Sequence, residues 1–186
     1  MRNTFFILLL FAFACCKTPE ARRPVSQSSG SYIDASIARN KKMNKAEENA
    51  ILKVIKQHPE QNYIASADGF WYAYEVQTKD SLKQKMPELG DLVSFEYTIE
   101  SIAGKEIVSK KELGIQTYQI DQSNQELIPG LRAGIKLMKA GETVSFLFPS
   151  HKAFGYYGYE NKIGSNRPIK STVTLKSITT KNQQEQ

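Results

Sequence analysis

The sequence predicts an α+β fold, an antiparallel sheet with one short helix covering one of its faces. Three observations predict it. From residue 68 onward, apolar residues recur with period two in several short runs bounded by turn residues. One stretch among them, after Pro129, changes to helical spacing. Composition is globular, with 40% apolar and 24% charged residues, which excludes wholesale disorder. A sheet of five or six strands needs a partner layer, and this helix is long enough to supply it.

The elements follow in chain order. Arg2 precedes the apolar run Phe5–Ala14, which has the length of a signal-peptide core and is too short to span a bilayer, where about 20 residues are needed. Residues 1–14 are therefore expected to be a signal peptide. Small residues then meet a cysteine pair in Ala12-Phe13-Ala14-Cys15-Cys16. This resembles the lipobox of bacterial lipoproteins, in which cleavage precedes a cysteine that is then lipidated. The resemblance assigns lipidation to Cys15 or, one residue on, Cys16. Two or more acyl chains would then hold the protein on a membrane without spanning it. The competing reading is a plain secretory signal with two incidental cysteines.

Residues 15–42 read as the anchor and a flexible linker, rich in Ser, Gln and Gly with few large apolar groups. The net charge is +6, and +5 once Arg2 is removed; part of the excess falls on Arg22, Arg23, Arg39, Lys41, Lys42 and Lys45. An export signal argues against nucleic acid as the partner, which leaves a solvated basic tether. Residues 43–67 read as a helical extension. Asn44 would be its N-cap and Glu47 would complete a capping box. Ala50, Ile51, Val54 and Ile55 follow at helical spacing, and Pro59 ends the helix. Its apolar stripe is expected to pack on the adjoining domain.

That domain spans residues 68–180, ahead of a polar tail at 181–186. Asp68-Gly69 and Gly90-Asp91 are turn pairs. Phe70, Tyr72, Tyr74 and Val76 form the first alternating run; Val93, Phe95, Tyr97 and Ile99 form the second. Ala103-Gly104-Lys105 is a hairpin turn with Glu106-Ile107-Val108 returning, and Tyr118-Gln119-Ile120 is a short strand. Pro129-Gly130 opens the helix, whose Leu131, Ile135 and Met138 share a face, and Gly141 stops it. Val144, Phe146 and Phe148 alternate next, then a long loop over 155–170, then Val173 and Leu175. The run Val93–Ile99, alternating with Ser94, Glu96 and Thr98, is expected to have one buried and one wet face.

Metal and nucleophile chemistry finds little support. The two cysteines are adjacent, so they cannot staple the fold, and no CxxC spacing exists. Only His58 and His151 are present, which excludes a multi-His centre, and neither sits in a catalytic motif. No cofactor is implied.

The order of segments resembles the FKBP-type peptidyl-prolyl cis-trans isomerases. The segments are Gly90–Thr98, the Ala103–Ile107 hairpin, Glu126-Leu127-Ile128-Pro129-Gly130-Leu131 with Gly134, Ile135 and Met138, then Phe148-Pro149 with Ala153-Phe154-Gly155, and Ser171–Leu175. Glu126–Leu131 is the most specific, and the likeness covers about residues 68–180. It implies a half-barrel sheet wrapped on the short helix. With the lipobox, basic tether and Gly69-Phe70-Trp71-Tyr72, the chain also resembles the FKBP-like lipoproteins associated with gliding motility.

The resemblance implies an isomerase of the cell envelope that acts on proline-containing exported polypeptides and needs no cofactor. It places Tyr97, Ile128 and Phe154 in the catalytic cup, with the Ile128 N–H holding the substrate carbonyl. It places Ile107, Val108, Leu127, Leu131 and Leu175 on the substrate. Ile107, Leu131 and Leu175 stand where the family usually has aromatics, Val108 where it has an aspartate, and Phe154 where it has a tyrosine. The aromatic position near Tyr118 is left open between Tyr118 and Gln116. For Ile107, Leu131 and Leu175 plain core packing is an equal alternative. The departures leave a second functional reading open: a weak or inactive FKBP-fold chaperone or binding module on the envelope, its loop 155–170 holding a partner.

Overall fold

The computed structural model describes residues 30–78, 85–122 and 127–180. The signal peptide, both cysteines, the first half of the linker, Glu126 and the polar tail lie outside the described residues. The chain groups into two compact units, Met1–Ile37 and Ala38–Gln186. Of the first, only residues 30–37 are described, as helix with Tyr32, Ile33 and Ile37 exposed.

Helix α1 runs Gly30–Gln57. It takes in residues 30–42, expected as linker, and passes through Asn44, expected as its N-cap. The physical reason is in the sequence: no Gly or Pro occurs between Ser31 and His58, so the favourable helix continues backward unopposed. Pro59 then ends it, and a 3-10 turn follows over Pro59–Gln61. From Ala38 onward α1 shares a unit with the sheet. Ile51 is fully buried. Glu47 makes no capping box; its carboxylate accepts from the Ser150 N–H at 2.8 Å and the Ser150 hydroxyl at 2.7 Å, in buried surroundings.

The sheet has eight strands: β1 Ile64–Ala65, β2 Trp71–Val76, β3 Leu92–Tyr97, β4 Ile99–Ser101, β5 Glu106–Val108, β6 Gln116–Gln119, β7 Thr143–Phe148 and β8 Ile169–Thr179. All pairings are antiparallel, in the order β1-β2-β7-β8-β3-β6, with β4 joining β5 to β8. The long β8 binds the sheet together: Val173 pairs with Val144 on one side and with Tyr97 on the other. Strand β6 begins two residues earlier than its apolar run suggests, because β3 pairs Phe95 with Gln116 and Val93 with Tyr118.

Two short helices interrupt the strands. Helix α2, Lys110–Leu113, is one turn capped by the Ser109 hydroxyl, which accepts from the Glu112 N–H. Helix α3, Pro129–Ile135, has Pro129 at its first turn and buries Gly130, Leu131, Gly134 and Ile135. Its inner face meets Phe146 so closely that a Cβ on Gly134 would lie 2.8 Å from the Phe146 ring. The core formed there includes Phe95, Ile135, Met138, Phe146, Phe148, Val173 and Leu175.

Strand β7 is buried on both faces from Val144 onward. Ser145 and Leu147, which alternate with the inward residues, are 1% and 0% exposed. The Tyr63 hydroxyl, from the segment after α1, hydrogen-bonds Ser145 Oγ at 3.3 Å. The strand is therefore covered on both sides, which alternation in one segment cannot reveal. The long loop carries structure of its own. Tyr159 and Ile163 form an antiparallel bridge, and a Cβ on Gly158 would overlap the Ile163 carbonyl. Gly158 has φ of +70°, which glycine adopts without cost.

Candidate active site

Strand β3 turns Val93, Phe95 and Tyr97 to the same face. Val93 and Phe95 are fully buried, and Tyr97, at the strand's end, is only half-buried. Its ring lies 5.8 Å from that of Phe95. Beside it a cavity of about 550 Å³ opens between β3, β6, the entry to α3 and the segment after β7. Leu127 and Ile128 form one wall and Phe154 with Tyr159 another; Gln116 and Tyr118 come from β6. The Phe154 and Tyr159 rings pack at 4.8 Å with a 38° tilt.

The geometry at Ile128 follows from the residue after it. Proline disfavours helical dihedrals in the residue before it, and Ile128 is extended, with φ −58° and ψ 146°. Its carbonyl accepts the first helical bond, from Arg132 N–H at 3.2 Å. Its own N–H has no hydrogen-bond partner among the described residues.

The wall is apolar and polar by turns. Gln116 Nε2 is committed to the Leu113 carbonyl at 2.6 Å. Glu112, on the rim, pairs with Lys162 across to the loop. That hydrogen bond, ahead of the nearby Glu112 and Glu160 charges, raises the Lys162 ammonium above its ordinary range. Burial raises the Tyr97 phenol above its usual value of 10.0, and the Tyr159 phenol adds to the shift. Tyr97 is thus a neutral hydroxyl at physiological pH.

Of the residues expected on the substrate or in the cup, the structure brings together Tyr97, Leu127, Ile128 and Phe154. The other four lie elsewhere. Val108, Leu131 and Leu175 are core residues, 1%, 1% and 0% exposed, and do not line the cavity. Each is a short aliphatic side chain at an inward position, so it ends within the packed layer. Ile107 lines a separate groove with Ile102, Ile163 and Pro168. Gln116 and Tyr118, left as alternatives, both border the cavity, Gln116 half-buried and Tyr118 at 4% exposure. Phe95, Leu113 and Tyr159 were not foreseen. Phe95 carried a usable signal, its place two residues before Tyr97 on an alternating strand. Tyr159 carried none, because the bridge to Ile163 that seats it is not written in local spacing.

A family model described as FKBP-type peptidyl-prolyl cis-trans isomerase matches residues 83–176, half of the chain and every residue of the cavity. Over 138 residues the chain is 30% identical to the probable FKBP-type peptidyl-prolyl cis-trans isomerase FkpA of Neisseria meningitidis serogroup B (strain ATCC BAA-335 / MC58). That match covers 74% of this chain and 47% of the relative, so the chain spans about half the relative's length. Solved structures that share the fold include two isomerase-family proteins. A peptidyl-prolyl cis-trans isomerase from Pseudomonas syringae pv. tomato superposes with a TM-score of 0.59 at 18% identity, covering 75% of this chain and 96% of that one. FkpA from Escherichia coli superposes with a TM-score of 0.54 at 22% identity, covering 96% of this chain and 82% of that one.

Proposed function

The chain belongs to the FKBP-type peptidyl-prolyl cis-trans isomerase family, and from that premise we propose that it interconverts X–Pro peptide bonds in exported polypeptides. The observation that carries this reading is the convergence of Tyr97, Leu127, Ile128 and Phe154 on one cavity, with an unpartnered Ile128 N–H at its edge.

The chemistry needs little. The two planar isomers of a peptide bond are separated by ~18–20 kcal/mol, the cost of lost amide resonance. Uncatalysed X–Pro exchange takes tens to hundreds of seconds. Catalysis means binding the twisted amide better than either planar form. The aromatic walls receive the proline ring and strip water from the amide. A less polar surrounding favours the twisted state, whose carbonyl has lost charge separation. The Ile128 N–H holds a neighbouring carbonyl while the bond turns.

The export-like leader and Cys15-Cys16 support a place in the cell envelope, with a lipidated cysteine as the membrane anchor. No helix among the described residues is long and apolar enough to cross a membrane. The likeness to gliding-motility lipoproteins supports surface or motility proteins as clients. Substitution of the family's aspartate by the buried Val108 favours a second reading, a slow isomerase serving chiefly as a binding module.

The test is relaxation of a cis-prolyl test peptide with the purified full chain. Faster relaxation is expected, and Tyr97→Ala or Ile128→Asp should reduce kcat/KM about tenfold or more. Equal rates with wild type, with Ile128→Asp and with no protein would sink the isomerase reading and leave the binding module.

A further inference from the structure

Hydrogen-bonding capacity in the cavity is unevenly spent. Gln116 Nε2 is taken up by Leu113, and Glu112 is taken up by Lys162. The donors that have no partner among the described residues include the Ile128 N–H and the hydroxyls of Tyr97, Thr117, Tyr118 and Tyr159. Polar groups left free in a pocket are those that orient its ligand. A ligand that complements such a set of donors is rich in acceptors. An X–Pro segment is such a ligand, because proline contributes a carbonyl but no N–H.

Tyr159 is also held in place. Its N–H donates to the Ile163 carbonyl at 3.0 Å, and the Ile163 N–H returns to the Tyr159 carbonyl at 3.0 Å. Gly158 permits the close approach behind it. Its ring rests on Phe154, and Lys162, three residues on, ties the loop to Glu112 on the cavity rim. The phenol lies near enough to Tyr97 to add to that residue's upward shift.

We propose that the Tyr159 hydroxyl is a substrate-binding donor, which accompanies the Ile128 N–H in gripping the carbonyls on either side of the proline. This rests on the isomerase reading for its substrate class. The donor set selects peptides whose flanking backbone is extended, with both carbonyls free of internal hydrogen bonds.

The experiment uses the full chain as wild type, Tyr159→Phe and Tyr159→Leu. It measures kcat and KM on prolyl tetrapeptides, and peptide affinity from the ¹⁵N shift of the Ile128 amide. Tyr159→Phe keeps the ring on Phe154 and removes only the hydroxyl. It should raise KM and weaken binding about 3–10-fold, the scale of one hydrogen bond, with kcat little changed and the urea midpoint unmoved. Tyr159→Leu, which loses the ring as well, should lower kcat too. If Tyr159→Phe binds and turns over peptide like wild type, the assignment is overturned and the isomerase reading stands. If wild type binds without accelerating exchange, and Tyr159→Phe binds more weakly, the assignment stands and the isomerase reading falls. A wild type that neither binds nor accelerates overturns both.

Discussion

At the scale of single residues, exposure separates wall from filling. Leu131 and Tyr97 were expected in the same cup, yet one is 1% exposed in the core and the other borders an open cavity. They should therefore fail differently. Leu131→Ala leaves a void among Phe-rich neighbours and is expected to cost about 2–5 kcal/mol of stability, read as a lowered urea midpoint. Tyr97→Ala should cost far less stability while removing most prolyl turnover. If Leu131→Ala instead lowers turnover with its urea midpoint unchanged, its placement in the core is wrong. The pattern Leu127-Ile128-Pro129 was readable because proline constrains its neighbour and starts a helix. The depth of Val108, Leu131 and Leu175 was not, because an alternating aliphatic looks the same at a pocket floor as behind it.

At the scale of elements, a buried polar contact and a close apolar one hold helices in place. The Glu47 carboxylate bridges α1 to the turn after β7 through two bonds to Ser150. Glu47→Ala would strand a buried N–H and hydroxyl, at an expected cost of about 2–4 kcal/mol in chemical denaturation. Glu47→Gln should recover part of that, since its amide oxygen still accepts. Helix α3 lies against β7 with only hydrogen on Gly134 facing Phe146. Gly134→Ala would gain helix propensity yet push the helix off the ring, with a net loss of about 1–3 kcal/mol. A thermal midpoint equal to wild type for Gly134→Ala would show that the helix yields at no cost. The capping box expected at Asn44 illustrates a local rule overridden: Glu47 fits the spacing, but a buried partner a hundred residues away binds it more strongly.

At the scale of the whole molecule, stability should depend on alkaline pH in one direction. Tyr63, Tyr74 and Tyr97 all have phenols raised above 10.0, in each case chiefly by burial. The unfolded chain, with ordinary phenols, loses these protons first. In that window the folded state binds more protons, so stability falls as pH rises. The contribution is complete below about pH 10 and is lost as pH climbs through the raised folded values. The urea midpoint should therefore hold steady at neutral pH and drop above about pH 10. A Tyr97→Phe variant, with one such phenol removed, should drop less. Turnover should be flat across the neutral range, because Tyr97 stays protonated there. A bell-shaped profile centred near neutrality would instead require a titrating group in the cavity.

Periodicity, turn pairs and the proline-led helix were enough to establish the α+β class, the antiparallel strands, the hairpin at Gly104 and the stretch that enters α3. These are local properties, carried by neighbours within a few residues. The two-sided burial of β7, the backward extension of α1 and the meeting of Tyr97, Ile128, Phe154 and Tyr159 depended on folding. Each joins segments far apart in the chain, and no short-range pattern encodes the distance between side chains that meet only when the sheet closes around its helix.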